Sequence, residues 1–371
     1  MVSPTVGGVR SCTSCGGALH DGDAFCEACG ARTAAPHAPA GAVVDPAGAD
    51  EHASDALTTA ASGADPSDAG RSAAPGGAAQ CRACGGPIAA DGYCERCGEP
   101  AASARDHWSE QPAPWVGGVC DRGVRHVRNE DALALAASGA FAALVVCDGV
   151  STAPRSDVAS LAAAAAARDV LAAAGPDGTA PVVGTEPART AAWSALLGRA
   201  SRAGNAAVVA TMQPGLGPED VPSCTFVAAV LDGPLLVAGW LGDSRVYWLP
   251  DEGPAEQLTA DDSGAGELVS RGVPREAAEA SPQAHAITRW LGPDADDATA
   301  RTTATVLDGP GWVLVCSDGL WNYCSPAGDL AILVREHARD LDPVRTADAL
   351  VAWANAQGGR DNVTVALARF G

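Results

Sequence analysis

Five aspartates of this 371-residue chain share one kind of position, the lip of a short apolar run. Trp312 to Cys316 stops at Ser317-Asp318-Gly319, Phe141 to Cys147 at Asp148-Gly149, and Leu235 to Leu241 at Gly242-Asp243-Ser244-Arg245. Asn129-Glu130-Asp131 opens the run Ala132 to Ala136, and Gly358-Gly359-Arg360-Asp361-Asn362 opens Val363 to Ala368. Valine-rich runs of this length predict buried strands. A carboxylate at the end of such a strand is costly to bury alone, so it needs a cation, a set of donors or a hydrogen-bonded turn. Asp-Gly after one strand is ordinary turn chemistry. Repeated five times, the arrangement can converge on a single oxygen-rich site if the strands share a core, and such a site suits hard cations such as Mg²⁺ or Mn²⁺.

Cysteine supplies a second chemistry. Eight of the 13 cysteines precede residue 98 and fall in C-x-x-C pairs. Cys12 and Cys15 are followed after ten residues by Cys26 and Cys29; Cys81 and Cys84 are followed after nine by Cys94 and Cys97. Each pair is followed by a glycine, Gly16, Gly30, Gly85 or Gly98, which lets the backbone turn tightly around a shared ion. Four thiolates at this spacing predict a closed tetrahedral Zn²⁺ site, two in all. The competing reading, two disulfides per module, requires an oxidising compartment that nothing in the sequence indicates. Of the other five, Cys147, Cys224 and Cys316 sit among apolar residues and read as small core side chains.

The elements that must position these residues follow from composition and period. Residues 1–30 and 81–98 form two small zinc ribbons, too small to fold on apolar burial alone. Residues 31–80, dominated by Ala, Pro, Gly, Ser and Asp, read as a disordered linker, and residues 99–114 as a shorter polar one. His107, in the latter, reads as a solvated linker histidine. Residues 115–371 form the large domain. There the pattern predicts strands at 116–119, 132–136, 141–147, 224–231, 235–241, 245–249, 301–306, 312–316 and 363–368. Helices are predicted at 157–174, 186–210, 261–271, 329–339 and 343–356. Strands in runs and helices in separated pairs predict an α+β fold of mainly antiparallel sheets covered by helices. The formal charge of −21 disfavours a nucleic-acid groove or an anionic membrane surface as partner. No apolar span reaches the length of about 18 residues needed to cross a bilayer, and residues 1–10 lack a secretory apolar core, so the expected compartment is the cytoplasm.

From about Val116 onward the chain resembles the metal-dependent protein phosphatases of the PPM, or type 2C, family. The motifs that carry the resemblance, in the family's order, are N-E-D-A (129–132), V-V-C-D-G (145–149), S-C-T-F-V (223–227), L-G-D-S-R-V-Y (241–247), L-T-A-D-D-S (258–263), I-T-R-W-L-G (287–292), C-S-D-G-L-W (316–321) and G-G-R-D-N-V-T (358–364). The resemblance implies an αββα sandwich, two antiparallel sheets with helix pairs outside, and a metal centre at one end of the sheets. It implies that Asp131, Asp148, Asp318 and Asp361 are metal-binding aspartates, that the carbonyl of Gly149 is a further ligand, and that Glu130 holds metal-bound waters. Asp243 matches a residue associated with a third, weaker metal.

So implied, the chain is a Mn²⁺- or Mg²⁺-dependent serine/threonine protein phosphatase acting on phosphoprotein substrates of serine/threonine kinases. Two divalent ions about 4 Å apart need several carboxylates to coexist, and a bridging water between them readily becomes the attacking hydroxide. No cysteine nucleophile is required. The chain departs from the family where many relatives carry a phosphate-gripping arginine: His126 stands there, with Arg125 and Arg128 beside it as candidate phosphate ligands. Val150, Ser151 and Thr152 replace residues of the family's D-G-x-G-G pattern, so a general acid that some relatives place at Val150 is missing. Arg245 and Arg289 read as partners of neighbouring acids, Thr225 and Thr364 as strand residues, and 263–286 as the family's flap. The ribbons read as modules for an unidentified protein partner. The competing function is a non-catalytic adaptor that recognises phosphoprotein without turning it over.

Overall fold

The computed structural model describes residues 10–11, 18–19, 80–81, 84–98, 101–213 and 221–371. Cys12, Cys15, Cys26 and Cys29 of the first ribbon, and nearly all of the 31–80 linker, lie outside the described residues. The chain divides into two units, residues 1–75 and 76–371. In the first, β1 (Arg10–Ser11) and β2 (Ala18–Leu19) pair antiparallel.

The second unit runs β3 (His107–Ala113), β4 (Val116–Asp121), β5 (Ala132–Ser138), β6 (Phe141–Cys147), α1 (Ser156–Ala172) and α2 (Glu186–Ala210). It continues through β7 (Phe226–Asp232), β8 (Leu235–Leu241), β9 (Arg245–Pro250), β10 (Glu256–Gln257), α3 (Gly264–Ser270) and α4 (Arg275–Glu279). It closes with β11 (Arg301–Val306), β12 (Gly311–Cys316), α5 (Asp318–Trp321), α6 (Ala327–His337), α7 (Pro343–Gln357) and β13 (Val363–Phe370). Two antiparallel sheets result, ordered β10-β9-β12-β13-β4-β3 and β11-β8-β7-β6-β5.

Continuous apolar runs make these strands because both faces of each sheet are covered. Side chains alternate across the pleat: Leu133, Leu135, Leu144 and Val146 pack between the sheets, whereas Ala134, Ala143, Val145 and Cys147 face α1 and α2. On the other side, α6 and α7 cover Val119, Leu314, Cys316, Val365 and Leu367. Each fully buried Leu or Val contributes about 1.5–3 kcal/mol, and the alternation fixes register, since a one-residue slip would turn every side chain to the wrong face. The four layers are the αββα sandwich that the resemblance implies. No helix among the described residues is long and apolar enough to cross a membrane.

Two readings of the sequence need correction. Residues 99–114 are not simply a linker: β3 pairs with β4 and completes the six-stranded sheet. Its polar sequence hid it because an edge strand buries only part of one face; Trp108 packs toward the inter-sheet core, and the Leu135 N–H donates to Glu110 Oε2 (2.8 Å). His107 is accordingly no solvated linker residue, with Nδ1 at 2.7 Å from Asp121 Oδ2. The helix expected from residue 261 starts at Gly264, because the two acids ahead of it are drawn into ion pairs, Asp261 with Arg245 (2.6 Å) and Asp262 with Arg301 (3.0 Å). Ser263 then caps the helix, accepting from the Gly266 N–H.

Candidate metal centre and active site

Strand register brings the acids together. β5 and β6 pair with Ala132 opposite Cys147, so Asp131 and Asp148 follow on at the same end. β9 and β12 pair with Arg245 opposite Cys316; two residues beyond each lie Asp243 and Asp318. β12 and β13 pair with Cys316 opposite Val365, which leaves Asp361 near Asp318. All five aspartates therefore stand at one end of the sandwich.

Asp131 is fully buried, and its two oxygens are treated differently. Oδ2 accepts from Ser317 Oγ and Thr364 Oγ1, both at 2.7 Å, whereas Oδ1 has no hydrogen-bond partner. Asp318 repeats the arrangement: Asn322 Nδ2 donates to Oδ2 (3.0 Å) and Oδ1 is buried without a partner. Thr364, by its sequence a strand residue only, is thus also a clamp on Asp131. Thr225 likewise serves the site, since Oγ1 accepts from the Asp148 N–H (3.0 Å).

Burial pushes Asp131 up to about 6, with the charge of Asp361 adding to it against the two hydroxyls. Asp148 is pushed well up by burial and by Asp131, Asp318, Asp361 and Asp243 together. Burial and the neighbouring Asp361 and Asp243 charges raise Asp318, and burial with Asp261 raises Asp243 to about 7. Carboxylates that resist one another's ionisation this strongly are matched by a divalent cation, which reverses the local electrostatics. Two orphaned buried oxygens in an all-oxygen donor set fit a hard cation.

Glu130 stands behind this front. Its Oε1 accepts from Ser156 Oγ (2.6 Å) and from Arg128, while its carbonyl accepts from the Gly149 N–H (3.2 Å). No side chain would fit at Gly149, where a Cβ would lie 2.6 Å from the Glu130 carbonyl and 2.9 Å from Ser156. Asn362 accepts from the Glu130 N–H (2.7 Å) and donates to the carbonyls of Arg122 and Arg128, stapling the 122–130 loop to the start of β13. Arg105, ahead of β3, donates through Nη2 to the carbonyls of Asn129, Asp131 and Asp157.

A sequence model of the family described as Protein phosphatase 2C matches residues 122–355. The chain belongs to the protein phosphatase 2C family. It is 34% identical over 142 residues to the protein phosphatase PhpP of Streptococcus pneumoniae, a match covering 38% of this chain and 55% of that protein. The chain thus spans about half the length of the curated relatives it matches. Its fold is that of the serine/threonine phosphatase Stp1 from Staphylococcus aureus, at 22% identity and a TM-score of 0.57 over 73% of this chain and 96% of that one. The catalytic domain of the serine/threonine protein phosphatase PstP, in complex with two manganese ions, is 25% identical with a TM-score of 0.50, over 71% of this chain and 99% of that one.

Against the protein phosphatase 2C pattern, the substituted positions have definite surroundings. His126 has Nε2 at 3.2 Å from Asp361 Oδ1 and Nδ1 at 4.0 Å from Glu130 Oε2. Arg128 is paired with Glu130 (3.1 Å) and Arg125 is exposed. Arg245 is fully buried between Asp261 and Glu279, and Arg289 pairs with Asp262 and Asp297, so both belong to the framework as the sequence suggested. A cavity of about 260 Å³ opens beside Asp361, lined by His285, Trp321, Asn322, Tyr323 and Arg360. His285 is inconspicuous in the sequence, one histidine in a polar run; no local signal marks it.

Among the described residues, clustered and scattered cysteines have different surroundings. Cys147, Cys224 and Cys316 are fully buried, and burial raises the Cys147 and Cys316 thiols, leaving them poor nucleophiles. The sulfurs of Cys81, Cys84, Cys94 and Cys97 lie within 4.8 Å of one another, and none is in a disulfide. Gly85 and Gly98 turn with φ of 68° and 76°, as the tight loops require. Four converging thiols fit a tetrahedral Zn²⁺.

Proposed function

We propose that the chain is a Mn²⁺- or Mg²⁺-dependent protein serine/threonine phosphatase that hydrolyses phosphoserine and phosphothreonine in protein substrates. The observation that carries this reading is the pair of buried carboxylate oxygens, Asp131 Oδ1 and Asp318 Oδ1, left without partners among five gathered aspartates. Asp131, Asp148, Asp318, Asp361 and the Gly149 carbonyl would hold two cations, Asp243 a third, with Glu130 outside them. The chemistry such a cation pair supplies is a hydroxide-strength nucleophile at neutral pH and neutralisation of charge on the phosphoryl group.

The chain's own residues do the rest. Ser317 and Thr364 fix Asp131 so that only one oxygen is free to ligate, which costs no reorganisation during the reaction. His126, with a carboxylate near each ring nitrogen, stands at the rim to donate to the phosphoryl or leaving oxygen, and Arg125 and Arg128 supply positive charge beside it. An oxygen from water bonds to phosphorus as the phosphorus–oxygen ester bond breaks, and the departing serine or threonine oxygen takes a proton, leaving the free hydroxyl and inorganic phosphate. The two Cys₄ modules would each hold one structural Zn²⁺ and bind a protein partner, in the reducing cytoplasm where such thiols persist.

Turnover of a phosphothreonine peptide with Mn²⁺, compared between the native chain and Asp318→Asn, tests the reading. We expect a loss of about 100-fold or more. Equal rates would defeat the enzyme reading and leave the phosphoprotein adaptor.

A further inference from the structure

We propose that the cavity beside Gly149, walled by Val150, Ile287 and Trp290 with Asp294 at its rim, takes a lysine or arginine side chain of the substrate, close in sequence to the phosphorylated residue. That assignment rests on the phosphatase reading above and adds to it the class of peptide selected.

The cavity has a volume of about 250 Å³, and its lining includes Val150, Thr152, Val221, Ile287, Trp290 and Asp294. Val150 follows directly on Gly149, whose carbonyl the reading above gives to the cations, so a side chain seated here belongs to a near neighbour of the residue being hydrolysed. Backbone pairing builds the walls. Val150 N–H donates to the Ser223 carbonyl (3.0 Å), Cys224 N–H to the Leu291 carbonyl (3.0 Å) and Leu291 N–H to the Cys224 carbonyl (2.8 Å). The segments 150–153, 221–224 and 287–294 are thereby held together. Thr152 stands at the last glycine of the pattern D-G-x-G-G, so one wall is this chain's own.

Among the described residues of the lining, Asp294 alone is ionisable. The Trp290 indole N–H donates to its Oδ1 (2.9 Å), which fixes the carboxylate beside the ring and leaves Oδ2 open. Arg289, the arginine nearest to it in sequence, is taken by Asp262 and Asp297, and Asp294 is in no ion pair among the described residues. A basic side chain matches each part: its methylene stem lies on valine and isoleucine, while its cation meets the tryptophan ring and the open carboxylate oxygen. An acidic side chain would meet a like charge and no partner. An apolar one would strip water from the carboxylate and offer nothing in return. The formal charge of −21 attracts basic peptides in the same sense.

Steady-state kinetics of the full chain with Mn²⁺ test this on phosphothreonine peptides that carry lysine, norleucine or glutamate at one flanking position, moved along either side in turn. Norleucine keeps the stem and removes the charge. We expect kcat/KM at one position to favour lysine over norleucine about tenfold, through KM, with glutamate the poorest. The lysine preference should vanish in Asp294→Asn, and Asp294→Lys should turn it toward glutamate. Each preference is a ratio within one variant, so a general loss of fold does not imitate the effect. p-Nitrophenyl phosphate, which has no flanking residue, reports the metal centre alone. A native chain indifferent to the flanking residue, or a lysine preference that survives in Asp294→Asn, overturns the pocket and leaves the phosphatase reading standing. No Mn²⁺-dependent turnover of any peptide or of p-nitrophenyl phosphate overturns both.

Discussion

The two candidate metal sites are built in opposite ways. The Cys₄ site draws its ligands from 17 consecutive residues, 81–97, joined by tight turns with almost no core. The aspartate site draws from 131 to 361, and its ligands meet only because eleven strands have set their registers. In the first, binding an ion would be one event with folding, since the thiolates have little else to hold them together. In the second, apolar burial of the strands holds mutually repelling carboxylates close, ready for a cation that would relieve them. Local spacing suffices for soft ligands on a small loop; a hard-ion cage needs a framework stiff enough to oppose its own charge.

That contrast breaks most visibly when the ligands themselves are removed. Replacing Asp131 by Asn should lower Mn²⁺-dependent turnover about 1,000-fold while leaving hydrogen exchange in β12 and β13 unchanged. Replacing Cys84 and Cys97 by Ser should do the reverse, removing one equivalent of zinc by elemental analysis and all amide protection in 84–98, with turnover within about twofold of native. If the cysteine variant instead loses protection in the sheets, the two sites are not independent in folding.

The next effect concerns the clamp. Thr364→Val keeps shape in the strand but removes one of the two hydroxyls on Asp131 Oδ2, and should weaken Mn²⁺ about tenfold by titration calorimetry. An unchanged affinity would mean that the hydroxyl only fills space.

A smaller effect is pH dependence. Asp131 at about 6 and Asp243 at about 7 bind protons more tightly folded than unfolded, where an aspartate titrates near about 3.9. Their contribution to stability is therefore present in full below about pH 4 and is lost as pH rises through 6 to 7. Mn²⁺ replaces those protons, so the rise in Tm on adding it should be greater at pH 7.5 than at pH 5, where it must compete for the same oxygens. Equal shifts at both pH values would remove these carboxylates from the binding reaction.

Much of this is legible in the amino-acid order alone. The bounds of β6, β8 and α2 follow from their apolar pattern and flanking turn residues, because in each the pattern and the burial agree. The acids are legible because an aspartate ending an apolar strand has so few ways to be tolerated. What escapes is held by contacts distant in sequence. Ser317 and Thr364 look like any strand-end hydroxyls until the pairing of β12 with β13 sets both beside Asp131. The four-residue α5 hides inside the motif that carries Asp318, and α4 inside a run of alanine and glutamate too short to show a period. β3 is invisible because its composition is that of the solvent side it faces.

That overlooked strand sets a practical limit on how the protein can be shortened. A recombinant fragment begun at residue 115 would strip β4 of its neighbour and bare a row of amide and carbonyl groups to any passing chain, an invitation to aggregate. It would also discard Arg105, so that the main chain beneath Asp131 loses the guanidinium that gathers three of its carbonyls. An excised catalytic unit should start before Ser103, whose hydroxyl and amide anchor Asp106. A weakly active shorter fragment would then report damage to the excised piece rather than any lesson about the ribbons.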